Sequence, residues 1–205
     1  EMLRSLVGSE MCIRDRINTK LEILNDEFQH VHQYNPIEHI KSRIKTSESI
    51  VKKLRRHGYE STIENMVKYV NDIAGIRVIC SFTSDIYRIA EMIRLQNDIH
   101  VIAVKDYIRL PKASGYKSYH MLVTVPVFLS DRTVDVKVEI QIRTVAMDFW
   151  ASLEHKINYK FEGNAPEHVK RELIECAGMV SALDNRMQEL NEEIKALSKE
   201  DTDGA

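Results

Sequence analysis

The chain is poor in cysteine, has no long apolar run, and carries almost no net charge. Its three cysteines, Cys12, Cys80 and Cys176, lie far apart with no C-x-x-C pair. That argues against a disulfide framework or a zinc site and fits a reducing cytoplasm. No apolar stretch approaches the ~20 residues that a membrane-spanning helix needs. Lysine and arginine total 29 against 31 acidic residues, a net charge of −2. Without a global basic field, the chain is not patterned as a general nucleic-acid binder, so any basic site must be local. At 205 residues, 43% hydrophobic and 29% charged, it has the size and composition of one globular domain with helical extensions.

What is present gathers around one loop. Runs rich in β-branched and aromatic residues predict strands over 99–104 and 119–127. Between them the loop carries Lys105, Arg109, Lys112, Lys117 and His120, interleaved with Tyr107, Tyr116 and Tyr119 and punctuated by Pro111 and Gly115. Cations suit phosphates and a tyrosine ring suits a planar base. The alternative is a solvated basic hairpin loop.

Residues 1–16 resemble a non-native or disordered leader and are expected to lie outside the fold. Ile17, Leu21, Leu24, Phe28 and Val31 repeat at helical spacing, ended by Asn35-Pro36. His30, His32 and His39 have no compact metal-ligand spacing and read as surface residues. Further on, Lys41, Arg43, Lys45, Lys52, Lys53, Arg55 and Arg56 face only Glu48. A helix capped by Thr46 or Ser47 and ended at Gly58 would put some of these cations near its free N–H groups, where a polyphosphate could bind. A solvated charged face is the other reading.

Ser61-Thr62-Ile63-Glu64 fits a capping box. Asp72 sits just before a strand over 76–80 that Arg77 interrupts, and Thr83 or Ser84 is expected to cap the next helix over Ile86, Ile89, Ala90 and Ile93. The stretch 134–142 alternates cleanly. Val134, Val136, Val138, Ile140 and Ile142 face a core; Asp135, Lys137, Glu139 and Gln141 share the other face, either solvated or the floor of a cleft. A helix is read over 143–156. Beyond Pro166, a last helix repeats Val169, Leu173, Cys176, Val180, Leu183, Met187, Leu190, Ile194 and Leu197 as a heptad seam that needs a partner. Its tail, 199–205, is expected to fray.

The loop pattern K-D-Y-I-x-x-P-K-x-x-G-Y-x-S-x-H resembles the guanosine-binding loop of the RelA/SpoT-type alarmone synthetases. Arg43-x-Lys45-x-x-x-Ser49-x-x-x-Lys53 resembles the family's ATP segment, and the likeness runs from about residue 35 to 160. No His-Asp dipeptide occurs, so the metal-dependent hydrolase domain of the long members is not expected. The resemblance is to a stand-alone small synthetase, on the RelP-like branch by 35–39 and 146–156. It implies an α/β (α+β) fold: a mixed sheet of four to five strands flanked by helices, nucleotidyltransferase-like, with N- and C-terminal helical extensions. The synthetase domain would span 17–165, and 166–205 would serve oligomerisation, as a homotetramer.

The resemblance further implies Mg²⁺-dependent transfer of pyrophosphate from ATP to the 3′-hydroxyl of GDP or GTP. Lys45, Lys53 and Lys52 would hold ATP phosphates, with Ser49 in the same segment. Arg43 and Arg77 would stack on adenine. Asp72 would bind Mg²⁺, and Glu139 would take the 3′-hydroxyl proton and share the metal. Lys105, Lys112 and His120 would hold the guanosine phosphates, Tyr116 beside Gly115 would stack on guanine, and Gln141 would position the ribose or acceptor. Ser114 departs from the Asn that long synthetases place before this Gly, which bears on the base contact. The competing reading is a non-catalytic module sensing guanine nucleotides or RNA through the same loop. The pairing of Asp72 with Glu139 weighs against it, since carboxylates repel phosphates without an intervening metal.

Overall fold

The computed structural model describes residues 18–23, 25–30, 34–44, 47–62, 65, 68–70, 74–128, 133–161 and 164–203. Their order is β1 (Ile37–Ile44), α1 (Ser47–Arg56), β2 (Ala74–Cys80), α2 (Thr83–Arg94), β3 (His100–Asp106), β4 (Tyr119–Phe128), β5 (Thr133–Thr144), α3 (Val145–Lys160) and α4 (Glu167–Asp203). Residues 18–23 and 25–30 are also helical. The strands form one mixed sheet in the order β1-β2-β5-β4-β3, with β2 parallel to β5 and the other neighbours antiparallel.

Alternation along β5 decides which face is which. Val136, Val138, Ile140 and Ile142 are buried, joined by Ile76 and Val78 of β2 and Met121, Val123 and Val125 of β4. Onto them pack Ile86, Ile89 and Ile93 of α2, with Leu21, Ile50 and Leu54 in the same cluster. Each such side chain contributes roughly 1.5–3 kcal/mol when fully buried. The opposite face carries the polar residues, and it is the one that matters for chemistry.

Three local expectations are revised. First, β1 is a fifth strand, antiparallel to β2, where no strand was read; Arg43 belongs to it rather than to the approach to a helix. An irregularity between Ile37 and His39 breaks its period of two. Second, α2 begins after Phe82 instead of Thr83 or Ser84, because Asp85 reaches back to accept from the Phe82 N–H at 3.3 Å. Asp85 also accepts from the Tyr34 hydroxyl at 2.6 Å, and burial with this carboxylate pushes the Tyr34 phenol well up. Third, Arg143 and Thr144 are the last residues of β5, paired with Ile79 and Cys80, and Thr144 caps α3 by accepting from Met147 N–H at 3.2 Å. The helix α4 runs through Asp203.

Other expectations hold. Gly58, at φ 77°, ends α1 in a Schellman motif: Gly58 N–H bonds Arg55 O and Tyr59 N–H bonds Leu54 O, both at 3.0 Å. Thr62 accepts from Asn65 N–H at 3.1 Å, a cap one residue beyond the Ser61-to-Glu64 box read from sequence; Ile63 and Glu64 lie outside the described residues, as do Ile17, Leu24, Val31, His32, Lys45, Thr46 and Asp72. One face of α4 is seated, with Ala177 and Asp184 buried. Leu183, Met187, Leu190, Ile194 and Leu197 of the heptad seam stay exposed.

Candidate active site

Sheet register builds the site. Lys41 of β1 lies opposite Arg77 of β2, Arg77 opposite Gln141 of β5, Gln141 opposite His120 of β4, and His120 opposite Lys105 of β3. One row thus crosses all five strands. Two rows along, on the same face, Arg43 lies opposite Gly75, which lies opposite Glu139. Residues two apart on a strand share a face, so Glu139, Gln141 and Arg143 project together.

The loop after β3 is folded back over this row by its own backbone. Asp106 accepts from Ile108 and Arg109 N–H at 2.9 and 3.0 Å. Gly115 N–H bonds Lys112 O at 2.8 Å, and Lys112 N–H bonds Tyr116 O at 3.2 Å. Gly115 takes φ 85°, a region glycine enters without steric cost. The result is a cleft of about 390 Å³ lined by Lys53, Lys105, Tyr107, Lys112, His120 and Glu139 among others. The Lys112 ammonium lies 4.9 Å from the Tyr107 ring centre and 4.7 Å from that of Tyr116.

Around Glu139 the polar groups interlock. His120 Nδ1 is 3.1 Å from Glu139 Oε1, and Tyr116 Oη is 2.9 Å from His120 Nε2. Gln141 donates to Glu139 Oε2 at 3.4 Å. Arg143 donates to Gln141 Oε1 at 2.9 Å and to Tyr116 Oη at 2.5 Å. Asp148 of α3 accepts from Arg143 at 3.1 Å and from Arg77 at 3.0 Å. The Glu139 side chain stays 35% exposed, so its carboxylate still faces the cleft. A partly exposed carboxylate is chemically able to accept a proton, and lysine ammonium groups on the same cleft are able to pair with phosphate.

Residues 42–164 match the region found in RelA / SpoT proteins. The chain belongs to the RelA/SpoT family. It is 48% identical over 180 residues to "GTP pyrophosphokinase YwaC" of Bacillus subtilis (strain 168), covering 88% of this chain and 86% of YwaC. It is 38% identical over 181 residues to "GTP pyrophosphokinase YjbM" of the same organism, covering 88% and 84%. The solved small alarmone synthetase 1 of Bacillus subtilis, bound to its product pppGpp, superposes with a TM-score of 0.82 at 37% identity, over 94% of this chain and 97% of that one. The same enzyme bound to AMPCPP gives a TM-score of 0.77 at 35% identity, over 94% and 97%.

Within this RelA/SpoT-family chain, the site residues named from sequence fall into three groups. Lys53, Lys105, Lys112, His120 and Glu139 line the cleft, with Tyr116 and Gln141 bonded to its wall. Arg77 stands two register rows from Glu139, held by Asp148, while Ser49 and Lys52 are exposed on α1 and do not line that cleft. Lys45 and Asp72 lie outside the described residues, as does the Arg43 side chain. Not every loop cation serves the cleft. Arg109 pairs with Asp106 at 3.5 Å and lies over Tyr87; Lys117 donates to Ser181 of α4; Tyr119 packs edge-on against Tyr87.

Two residues of the network, Arg143 and Asp148, were not singled out from sequence. The signal for Arg143 was present: it is the next member of the polar series 135, 137, 139, 141, once the strand is continued instead of ended. Asp148 had no local signal, since its partners come from β1, β2 and β5.

Proposed function

We propose that the chain is a GTP pyrophosphokinase: it moves the β,γ-pyrophosphate of ATP onto the 3′-hydroxyl of GDP or GTP and releases AMP, giving (p)ppGpp, the stringent-response signal. The observation that carries this reading is Glu139, bonded to His120 beside Lys53, Lys105 and Lys112, in a member of this family.

In this reading the acceptor guanine stacks on Tyr116, and its phosphates meet Lys105 and Lys112, with His120 beside them, bonded to Tyr116 and Glu139. Gln141 holds the ribose. Glu139 takes the 3′-hydroxyl proton as the oxygen attacks the β-phosphorus; the new O–P bond forms while the bridge between α- and β-phosphates breaks and AMP leaves. Arg43 and Arg77 flank adenine, while Lys45, Lys52, Lys53 and Ser49 bind the triphosphate. A guanidinium plane can stack where an ammonium cannot.

Mg²⁺ fits the donors. Glu139 offers hard carboxylate oxygens that remain partly exposed, and Asp72, two residues before β2, would complete the pair. When bound, the ion neutralises triphosphate charge and polarises the phosphorus under attack. Among the described residues no group of three His, Cys, Asp or Glu side chains is placed to hold a metal by itself.

The chain works in the cytoplasm as a homotetramer, with residues 17–165 forming the synthetase domain and α4 contributing its exposed seam to assembly. No described helix is long and apolar enough to cross a membrane. The deciding experiment incubates protein with ATP, Mg²⁺ and GDP or GTP and resolves nucleotides by anion exchange. AMP should appear in step with a more highly charged guanosine product. ATP turnover giving ADP, or none at all, would sink the reading. Tyr116→Ala should then raise the acceptor KM with little change for ATP.

A further inference from the structure

Arg143 is 4% exposed, yet it ends a strand whose neighbours on that face are open to the cleft. Its guanidinium donates to four side chains: Nε to Ser118 Oγ at 3.3 Å, Nη1 to Asp148 Oδ1 at 3.1 Å, and Nη2 to Gln141 Oε1 and Tyr116 Oη at 2.9 and 2.5 Å. A guanidinium has donors only. The Tyr116 oxygen therefore accepts from Arg143, which leaves its O–H to donate to His120 Nε2 at 2.9 Å. A neutral His120 that accepts at Nε2 carries its proton on Nδ1, and that proton points to Glu139 Oε1 at 3.1 Å. With His120 in the Nδ1-protonated tautomer, the bonds run in one direction, from Arg143 to Glu139. At the other end, Asp148 Oδ1 also accepts from Arg77 at 3.0 Å, with Lys41 at 3.8 Å from Oδ2.

We propose that Arg143 is a positioning residue that orients Tyr116 and, through His120, the carboxylate of Glu139, and that Asp148 ties this chain of bonds to Arg77. Which nucleotide each end meets rests on the pyrophosphokinase reading. The device is a buried polar network, whose members support one another more than isolated pairs would. Lysine cannot stand in for Arg143, because a single ammonium cannot reach four partners held by a planar fork.

The test compares Arg143→Lys, Tyr116→Phe, their double variant and Asp148→Asn. Calorimetry reads GDP and AMPCPP binding separately, and kcat is measured at saturating nucleotide. Arg143→Lys and Tyr116→Phe should each weaken GDP binding roughly tenfold, the scale of one lost bond to a charged group. The double variant should be no worse than the weaker single, because both cut the same chain. In both singles kcat should fall as well as GDP affinity, because Glu139 is no longer held in place, a split that loss of a GDP contact alone would not give. Asp148→Asn should weaken both nucleotides.

Losses that multiply in the double variant would overturn the proposal. So would an unchanged kcat in both singles, or an Asp148→Asn effect on one nucleotide alone. Tyr116→Phe keeps the ring and tests the chain even if Arg143→Lys does not fold. If the wild type binds both nucleotides but forms no AMP, the pyrophosphokinase reading fails while the binding cycle still decides the role of Arg143.

Discussion

Gly115 and Ala177 meet at the junction of the cleft loop and α4. A Cβ added to Gly115 would lie 2.5 Å from Ala177 Cβ, well inside van der Waals contact, and φ there is +85°. Both facts forbid a side chain. Gly115→Ala should therefore lift the loop off α4 and displace Tyr116, the next residue. Left-handed backbone alone costs an L-residue roughly 1–2 kcal/mol. A rise in the GDP KM of at least about tenfold is expected, that being the rate equivalent of ~1.4 kcal/mol. Ala177→Gly in the same chain relieves the overlap but not the backbone strain, so steady-state kinetics should show partial recovery of the GDP KM. Wild-type behaviour of the single variant would refute the close approach.

Glu139 offers a sharper separation of binding from chemistry. Glutamine keeps an oxygen to accept from His120 Nδ1 but cannot take a proton. Glu139→Gln should lose about 10²–10⁴-fold in kcat, the usual worth of a positioned base. Nucleotide affinity, measured by calorimetry without turnover, should stay within a few-fold. If the variant retained near-normal kcat, another group would have to be the base.

Much of this was legible in the sequence because the signal was periodic and local. The alternation of β5 placed Glu139 and Gln141 on one face and five apolar residues on the other, as the burial shows. Alternation also separates His120 from Tyr119, which the composition of the loop alone grouped together; adjacent strand residues point to opposite faces. The strand β1 was not legible, because its irregularity near Ile37 spoils the period and its edge position gives it a mixed polar surface. Least legible were links made at long range. Lys117 to Ser181, Thr144 to Asp184 and Trp150 to the Leu173 carbonyl join the loop, β5 and α3 to α4 through folding alone.

Exposed apolar residues on α4 make a prediction about assembly. Leu183 is 61% exposed, Ile194 62% and Leu197 57%, all on the heptad seam. Single exposed leucines are ordinary, but a seam at four–three spacing is what a second helix packs against. Leu183→Glu with Leu190→Glu would place like charges on that seam. Light scattering at micromolar protein should then report a smaller species than the wild type, with far-ultraviolet circular dichroism unchanged. Equal masses for the two proteins would remove α4 from the interface.

The last prediction concerns pH and stability at Asp184. Its side chain is buried and accepts from Thr144 Oγ1 at 2.8 Å. Burial pushes its carboxyl up; the Thr144 bond and the charge of Lys117 pull the other way but do not cancel it. The folded protein therefore holds this proton more tightly than the unfolded chain does. Between the ordinary carboxylate pKa and the raised folded one, the folded state binds more protons, so stability falls as pH rises through that window and is level above it. Asp184→Asn keeps an acceptor for Thr144 and has no charge to desolvate. Urea unfolding should find the variant more stable than wild type at neutral pH. The advantage should shrink as the pH is lowered through the carboxylate range, where Asp184 is protonated in both states. A variant less stable than wild type at neutral pH would mean that the ionised carboxylate, through Thr144 and Lys117, contributes more than its burial costs.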